Sequence, residues 1–153
     1  MRAKIIVICI VLCIAIVCVY GYFTTDTRCA KKLASVLHSY DIAKMDSYLD
    51  ENAEIIFKNS NSQYKDCREN VIRAFDDKKF MIPEDASYGY GNDKYENGCQ
   101  DISVRLMGAL DDKDIGECVI DMTVRRKGIF GYRVISVKSD ADILGYIFFG
   151  REQ

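Results

Sequence analysis

The longest uninterrupted apolar stretch of the chain lies at its beginning. The 21 residues from Ile5 to Thr25 carry no charge, with two basic residues before them and an acidic one after them. A helix of that length rises about 30 Å, which matches the hydrocarbon core of a bilayer. Because the positive charges precede it, the pattern predicts a cytoplasmic stub over residues 1–4, a transmembrane helix or uncleaved signal anchor over 5–25, and an extracytoplasmic domain over 26–153.

A cleaved signal peptide is the alternative interpretation of this segment. Its strongly apolar part, Ile5 to Val19, is at the upper limit for the core of a signal peptide, and Val19-Tyr20-Gly21 is a mediocre cleavage site. We therefore expect a single-pass protein of the cell membrane with its C-terminal domain outside the cytoplasm. If the signal is cleaved, the protein is secreted.

Three helical patterns follow the apolar segment. Apolar residues recur every three or four positions from Ala30 to Tyr40, from Ile42 to Leu49 and from Tyr64 to Phe75. Between the second and third patterns, residues 53–58 place alternate apolar side chains on one face, as in a strand.

Beyond Pro83 the helical period disappears and strand patterns follow one another. They cover residues 88–92, 102–110, 118–124, 132–137 and 143–149, with turn residues between them. Helices followed by a run of strands are typical of an α+β domain, and the short turns predict an antiparallel sheet.

The net charge of the domain is small and excludes some classes of partner. Of 21 basic residues, Arg2 and Lys4 belong to the N-terminal segment, which leaves 19 against 23 acidic residues in the domain. A domain of that net charge does not favour nucleic acid or anionic lipid as a partner.

Four of the seven cysteines lie beyond the apolar segment, and they leave three pairing schemes open: Cys29, Cys67, Cys99 and Cys118. Cys67 and Cys118 fall on apolar faces, which favours buried free thiols over disulfides. There is no CxxC pair, and His38 is the single histidine. We therefore expect no metal and no cofactor.

The segment from Ser39 to Phe57, together with the helical pattern from Tyr64 to Phe80, resembles the opening of a nuclear transport factor 2-like domain of the cystatin-like, polyketide cyclase-like superfamily. The resemblance extends over roughly Arg28 to Gly150 and rests on the order of elements. It implies three N-terminal helices packed on a curved, cone-like antiparallel sheet that encloses a pocket, here preceded by one transmembrane helix. Members include isomerases, dehydratases, polyketide cyclases and non-enzymatic binding or dimerisation modules.

In the enzymatic relatives a pocket carboxylate or histidine moves a proton, helped by a tyrosine or acid that stabilises an oxyanion. The residues that could take such roles here are Asp121 or Asp41, Tyr132, Tyr40 and His38. No sequence spacing links these residues in the way that the enzymatic families require. Asp121 shares its strand face with Glu117, Thr123 and Arg125, which is typical of a solvated sheet face, and His38 lies near a helix end, where a cation is favourable.

Ligand contacts are predicted at Tyr88, Tyr90 and Tyr146. The last of these lies in the two-faced apolar stretch 143–149, which either lines a pocket or forms a homodimer through the sheet. We expect a non-enzymatic module that binds a small ligand or a protein. The alternatives are a small lyase or isomerase that uses a pocket carboxylate and tyrosine, and a structural component of an envelope assembly.

Overall fold

The computed structural model describes residues 2–23, 25–84, 87–128 and 131–150. Over these residues the chain forms five helices and seven strands. The helices are α1 (Arg2–Phe23), α2 (Thr25–Ser39), α3 (Ile42–Tyr48), α4 (Tyr64–Asp77) and α5 (Asp142–Phe149). The strands are β1 (Leu49–Phe57), β2 (Ser60–Gln63), β3 (Phe80–Met81), β4 (Ser87–Glu96), β5 (Cys99–Leu110), β6 (Lys113–Lys127) and β7 (Gly131–Ser139).

The N-terminal helix α1 exposes its apolar side chains. Those described cover residues 5–17, and the large apolar ones among them are 43–64% exposed. In the described part of the chain, no helix has the length and apolar character needed to cross a bilayer. The predicted transmembrane helix over residues 5–25 is therefore not supported by the structure.

The three predicted helices of the domain are present as α2, α3 and α4. Helix α3 begins where the Asp41 carboxylate accepts hydrogen bonds from the backbone N–H groups of Ala43 and Lys44, at 2.9 and 3.2 Å. That cap satisfies two N–H groups that have no partner within the helix. Helix α4 ends at Lys78, whose left-handed backbone stops the helical ladder. The spacing of apolar residues predicted these helices, and the caps at Asp41 and Lys78 set their ends.

The sheet is mixed rather than antiparallel, which corrects the prediction. Its order is β2-β1-β7-β6-β5-β3, and β4 also pairs with β5. The other pairs are antiparallel, but β1 runs parallel to β7, with Phe57 opposite Ser139. This pairing joins segments about 80 residues apart, and no local pattern in either strand records it.

The stretch 143–149 is helix α5 and not a closing strand, which is a second correction. A short apolar run bounded by turn residues fits either a buried strand or a buried helix. Here Gly150 adopts a left-handed backbone (φ 62°) and ends the helix, and residues 143–148 are all buried. The helix packs beside α4 and over β1, where Gly145 lies against the ring of Phe57.

One apolar core lies between the helices and the inner face of the sheet, and its described residues run from Cys29 to Phe148. Cys67 and Cys118 are buried free thiols, as their positions on apolar faces predicted. Cys99 is a half-buried free thiol. Burial raises the pKa of the Cys67 and Cys118 thiols.

Candidate functional site

One cavity in the described part of the chain is a groove between the first half of β6 and the segment that joins β7 to α5. Residues 115–121 and 138–142 contribute to its lining, and its volume is about 520 Å³. We call it the β6–α5 groove. That volume is within the range of about 300–1,000 Å³ that is usual for ligand sites.

The groove exists because β6 is longer than its neighbour. Strand β7 pairs with β6 only from Asp121 to Lys127, so the earlier residues of β6 extend past the end of β7. Ser139 closes the junction, since its hydroxyl donates to the carbonyl of Val119 at 2.6 Å and accepts from the backbone N–H of Ala141 at 3.1 Å.

The described lining contains one cation, Lys138, and four carboxylates: Glu117, Asp121, Asp140 and Asp142. Two of the four carboxylates have ion-pair partners from outside the lining. Arg105 lies 2.7 Å from Glu117, and Lys58 lies 2.7 Å from Asp142. The groove therefore has a mixed polar surface with an excess of negative charge.

Asp121, the first candidate general base, lies on the outer face of the sheet. It is exposed, accepts a hydrogen bond from Ser103 at 2.6 Å and pairs across the strands with Lys138. The interpretation of this face as solvated is confirmed, because alternate residues of β6 are exposed while Cys118, Ile120 and Met122 are buried.

Tyr132 lies on the other face, in an inner cluster formed with Cys29, Tyr48 and Met122. The Tyr132 and Tyr48 rings meet edge to face, with centroids 6.4 Å apart. The Tyr48 hydroxyl donates to the Cys29 carbonyl at 3.1 Å and lies 3.2 Å from the Cys29 sulfur. Burial, with smaller effects from Cys29, raises the pKa of both tyrosines well above its usual value.

The inner cluster therefore fills space between the helices and the sheet with two neutral hydroxyls and two sulfur side chains. The Lys32 ammonium lies 5.8 Å from both ring centroids. Asp121, the predicted general base, and Tyr132, the tyrosine predicted to assist it, thus lie on opposite faces of the sheet.

Tyr40 and His38 lie at the far end of α2, against the segment 80–82. The Tyr40 hydroxyl donates to the Phe80 carbonyl, and the His38 ring nitrogen Nδ1 lies 2.9 Å from the Ile82 carbonyl. Burial raises the pKa of Tyr40. Both side chains join α2 to β3, and neither lies in the groove. Asp41 caps α3 instead, as described above.

Tyr146 is buried in a cleft of about 180 Å³ between α4 and α5. Its hydroxyl donates to the Asp77 carboxylate at 3.3 Å, and Asn70 and Arg73 also line the cleft. Tyr88 and Tyr90 have their backbone in β4, but their side chains are outside the described residues. The predicted ligand-binding tyrosines are therefore not shown to share a site.

One polar cluster was not found by sequence reasoning. Arg68 forms a two-pronged ion pair with Asp46, with its Nη2 at 2.8 Å, and the Tyr64 hydroxyl donates to the same carboxylate at 2.8 Å. The hydrogen bonds from Arg68, opposed in part by burial, hold the pKa of Asp46 below its usual value. A carboxylate held ionised in this way is a poor base, so the cluster joins α3 to α4 rather than moving protons.

The groove carboxylates contributed by the β7–α5 junction were also missed. Asp140 and Asp142 belong to a segment assigned wholly to turn and strand, so nothing suggested that they would lie beside Asp121. Over the described ranges, no group of three or more His, Cys, Asp or Glu side chains has a geometry that could hold a metal ion.

Comparison with solved structures identifies the fold. No protein-family model and no curated protein matches the chain, whereas solved structures do. A nuclear transport factor 2-like protein from Cytophaga hutchinsonii aligns with a TM-score of 0.53 and 15% identity, over 74% of this chain and 93% of that one. A nuclear transport factor 2-like protein of unknown function in nutrient uptake from Rhodospirillum rubrum aligns with a TM-score of 0.53 and 11% identity, over 72% and 92%.

A third similar structure is a candidate ketosteroid isomerase from Shewanella frigidimarina, with a TM-score of 0.50 and 9% identity, over 71% of this chain and 88% of that one. Similarity at these identities concerns the backbone and not the chemistry of a site. The aligned part of the chain, between 71% and 74% of its length, has a nuclear transport factor 2-like, cystatin-like fold.

Proposed function

We propose that this chain is a membrane-tethered binding domain that works outside the cytoplasm without catalysing a reaction, and that the β6–α5 groove holds its partner. The observation that carries the proposal is the separation of the candidate catalytic groups. Asp121 is exposed on the outer face of the sheet, and Tyr132 is packed on the inner face against Tyr48. An isomerase or lyase needs its base and its oxyanion donor within reach of one substrate atom.

The tether is supported by the uncharged run from Ile5 to Thr25 and by the exposure of the described apolar side chains of α1. Exposed apolar surface of that extent is unfavourable in water and favourable in lipid.

The partner's chemistry follows from the groove. Apolar lining from Ile115 and Val119 lies beside the excess of carboxylate, which suits a ligand or protein segment with both apolar and cationic groups. A homodimer through the sheet stays a prediction.

The test is a titration of the isotope-labelled full chain in micelles with an arginine-rich nonapeptide, followed by NMR. We expect amide shifts around Val119 and Ser139, and about tenfold weaker binding for Asp121→Asn/Asp140→Asn. Asp111→Asn/Asp112→Asn removes the same charge at an exposed turn whose left-handed backbone suits asparagine, so it serves as the control. Shifts confined to other surfaces, or equal effects of the two double variants, would contradict the proposal.

The second candidate is a lyase or isomerase, and the observation that favours it is the Tyr146–Asp77 contact in the α4–α5 cleft. The cleft of about 180 Å³ is smaller than most ligand sites. Incubation of the full chain with a panel of ketones and enols tests it. Turnover that disappears in Tyr146→Phe would replace the binding proposal with an enzymatic one.

A further inference from the structure

The charges of the domain are segregated along β6. The strand and the turn before it begin with Asp111, Asp112 and Asp114, and the strand ends with Arg125, Arg126 and Lys127. An extended strand of this length spans about 45 Å. The small negative net charge of the domain therefore conceals an acidic end and a basic end.

The basic end includes the start of α2 as well. Arg28, Lys31 and Lys32 are exposed there, at helical spacing on one side of the helix. The Lys32 ammonium lies 5.8 Å from the ring of Tyr132, and Tyr132 pairs across the strands with Arg126. The six cations of the basic end therefore lie at one end of the sheet, with Arg28, Lys31, Lys32 and Arg126 on its helix-covered side and Arg125 and Lys127 on its opposite face.

Acidic groups near this end are few among the described side chains. Asp50 lies 4.0 Å from Arg133, a seventh cation in β7. Glu96 and Glu51 are exposed on neighbouring strands, and exposed Asp101 pairs across the strands with Thr123, two residues from Arg125. The seven cations remain in excess over these four carboxylates.

Chain connectivity sets where this basic end lies relative to α1. Only residue 24 separates α1 from α2, so the apolar helix leaves the domain at the turn of α2 that carries Arg28. An apolar helix that leaves the domain at an end carrying six cations matches the surface of a bilayer that contains anionic lipid, since each cation near such a surface adds to the attraction.

We propose that the basic end of the domain docks on anionic lipid headgroups of the membrane that α1 enters. This rests on the membrane part of the proposed function and adds a second attachment, which fixes the orientation of the domain. The acidic end and the β6–α5 groove would then face away from the bilayer.

The test separates the two attachments. In the full-length variant Ile8→Asp/Leu12→Asp, charges in the middle of α1 prevent its insertion, and the basic end remains the only attachment. We expect this chain to float with vesicles of phosphatidylcholine and phosphatidylglycerol at 7:3 but not with phosphatidylcholine alone, and to dissociate as NaCl rises from 0.1 to 0.5 M.

In the same background, Arg125→Gln/Arg126→Gln should weaken vesicle binding by about thirtyfold. Lys79→Gln/Lys113→Gln, which removes two exposed cations at the acidic end, should leave it unchanged. Equal binding to both vesicle types, equal losses in the two double variants, or displacement from the vesicles by equimolar duplex DNA would overturn the inference. Alkaline carbonate extraction of the unmodified chain tests α1 insertion separately, so failure of the tether and failure of docking give different results.

Discussion

At Tyr48, one polar atom is completely buried in the core. Its hydroxyl finds its acceptor in the Cys29 carbonyl, and the Met122 sulfur lies 3.5 Å away. A buried hydroxyl without such partners would cost the fold about 1–3 kcal/mol. The sequence placed Tyr48 only within a helical segment and could not show this network, because its members come from α2, α3 and β6.

Substitution of Tyr48 by phenylalanine should change how stability depends on alkaline pH. The pKa of Tyr48 is raised in the folded chain, so the unfolded chain loses this proton first as pH rises above about 10. The free energy of unfolding then falls by about 1.4 kcal/mol per pH unit for each tyrosine that stays protonated in the fold.

Urea unfolding between pH 10 and 11.5 should therefore give a shallower pH slope for Tyr48→Phe than for the unmodified chain, by about that amount. At pH 8 the variant should be less stable by about 1 kcal/mol, because the hydrogen bond is lost. Identical alkaline slopes would show that Tyr48 ionises in the folded chain.

Among the elements, α5 shows most clearly what local pattern cannot decide. The run from Ile143 to Phe149 would present apolar side chains on every face as a helix or as a strand. Only the surface that it packs against therefore distinguishes the two. That surface is the face of α4 and β1, which is distant in sequence. By contrast, α3 and α4 could be predicted because the apolar spacing of both helices is a local pattern.

The packing of α5 depends on the missing side chain of Gly145. A Cβ there would lie 2.6 Å from the Phe57 ring, so the ring or the helix would have to move. Glycine to alanine in a helix usually stabilises by about 0.5–1 kcal/mol. For Gly145→Ala we expect the opposite sign, a loss of about 1–3 kcal/mol from overpacking, measured by urea unfolding.

The double variant Gly145→Ala/Phe57→Leu is the control for this steric explanation. Because leucine leaves room for the new methyl group, the alanine should cost less in that background than in the unmodified chain. A Gly145→Ala chain more stable than the unmodified one would refute the close contact.

For the whole molecule, the described core begins at Cys29 and ends at Phe148, and α1 adds none of its described side chains to it. We expect a chain of residues 25–153 to keep the near-ultraviolet circular dichroism of packed tyrosines and to unfold cooperatively on heating. A spectrum without tyrosine fine structure would mean that α1 is needed for the packing of the domain.

The class of the fold could be predicted at this scale because helices precede strands in the sequence. The candidate site could not, since the β6–α5 groove depends on two strands of unequal length and on a helix that was taken for a strand. Asp121 could be assigned to a solvated face from β6 alone, but its proximity to Asp140 required the complete sheet.

The parallel pairing of β1 with β7 also sets an order of events during synthesis. Residues 54–57 meet residues 136–139, so β1 leaves the ribosome about 80 residues before its inner neighbour. At about 5–20 residues per second, that interval is roughly 4–16 s. During that interval, one edge of the β1–β2 hairpin has no strand to pair with. The nascent chain is therefore most vulnerable to aggregation and to chaperone capture before β7 emerges.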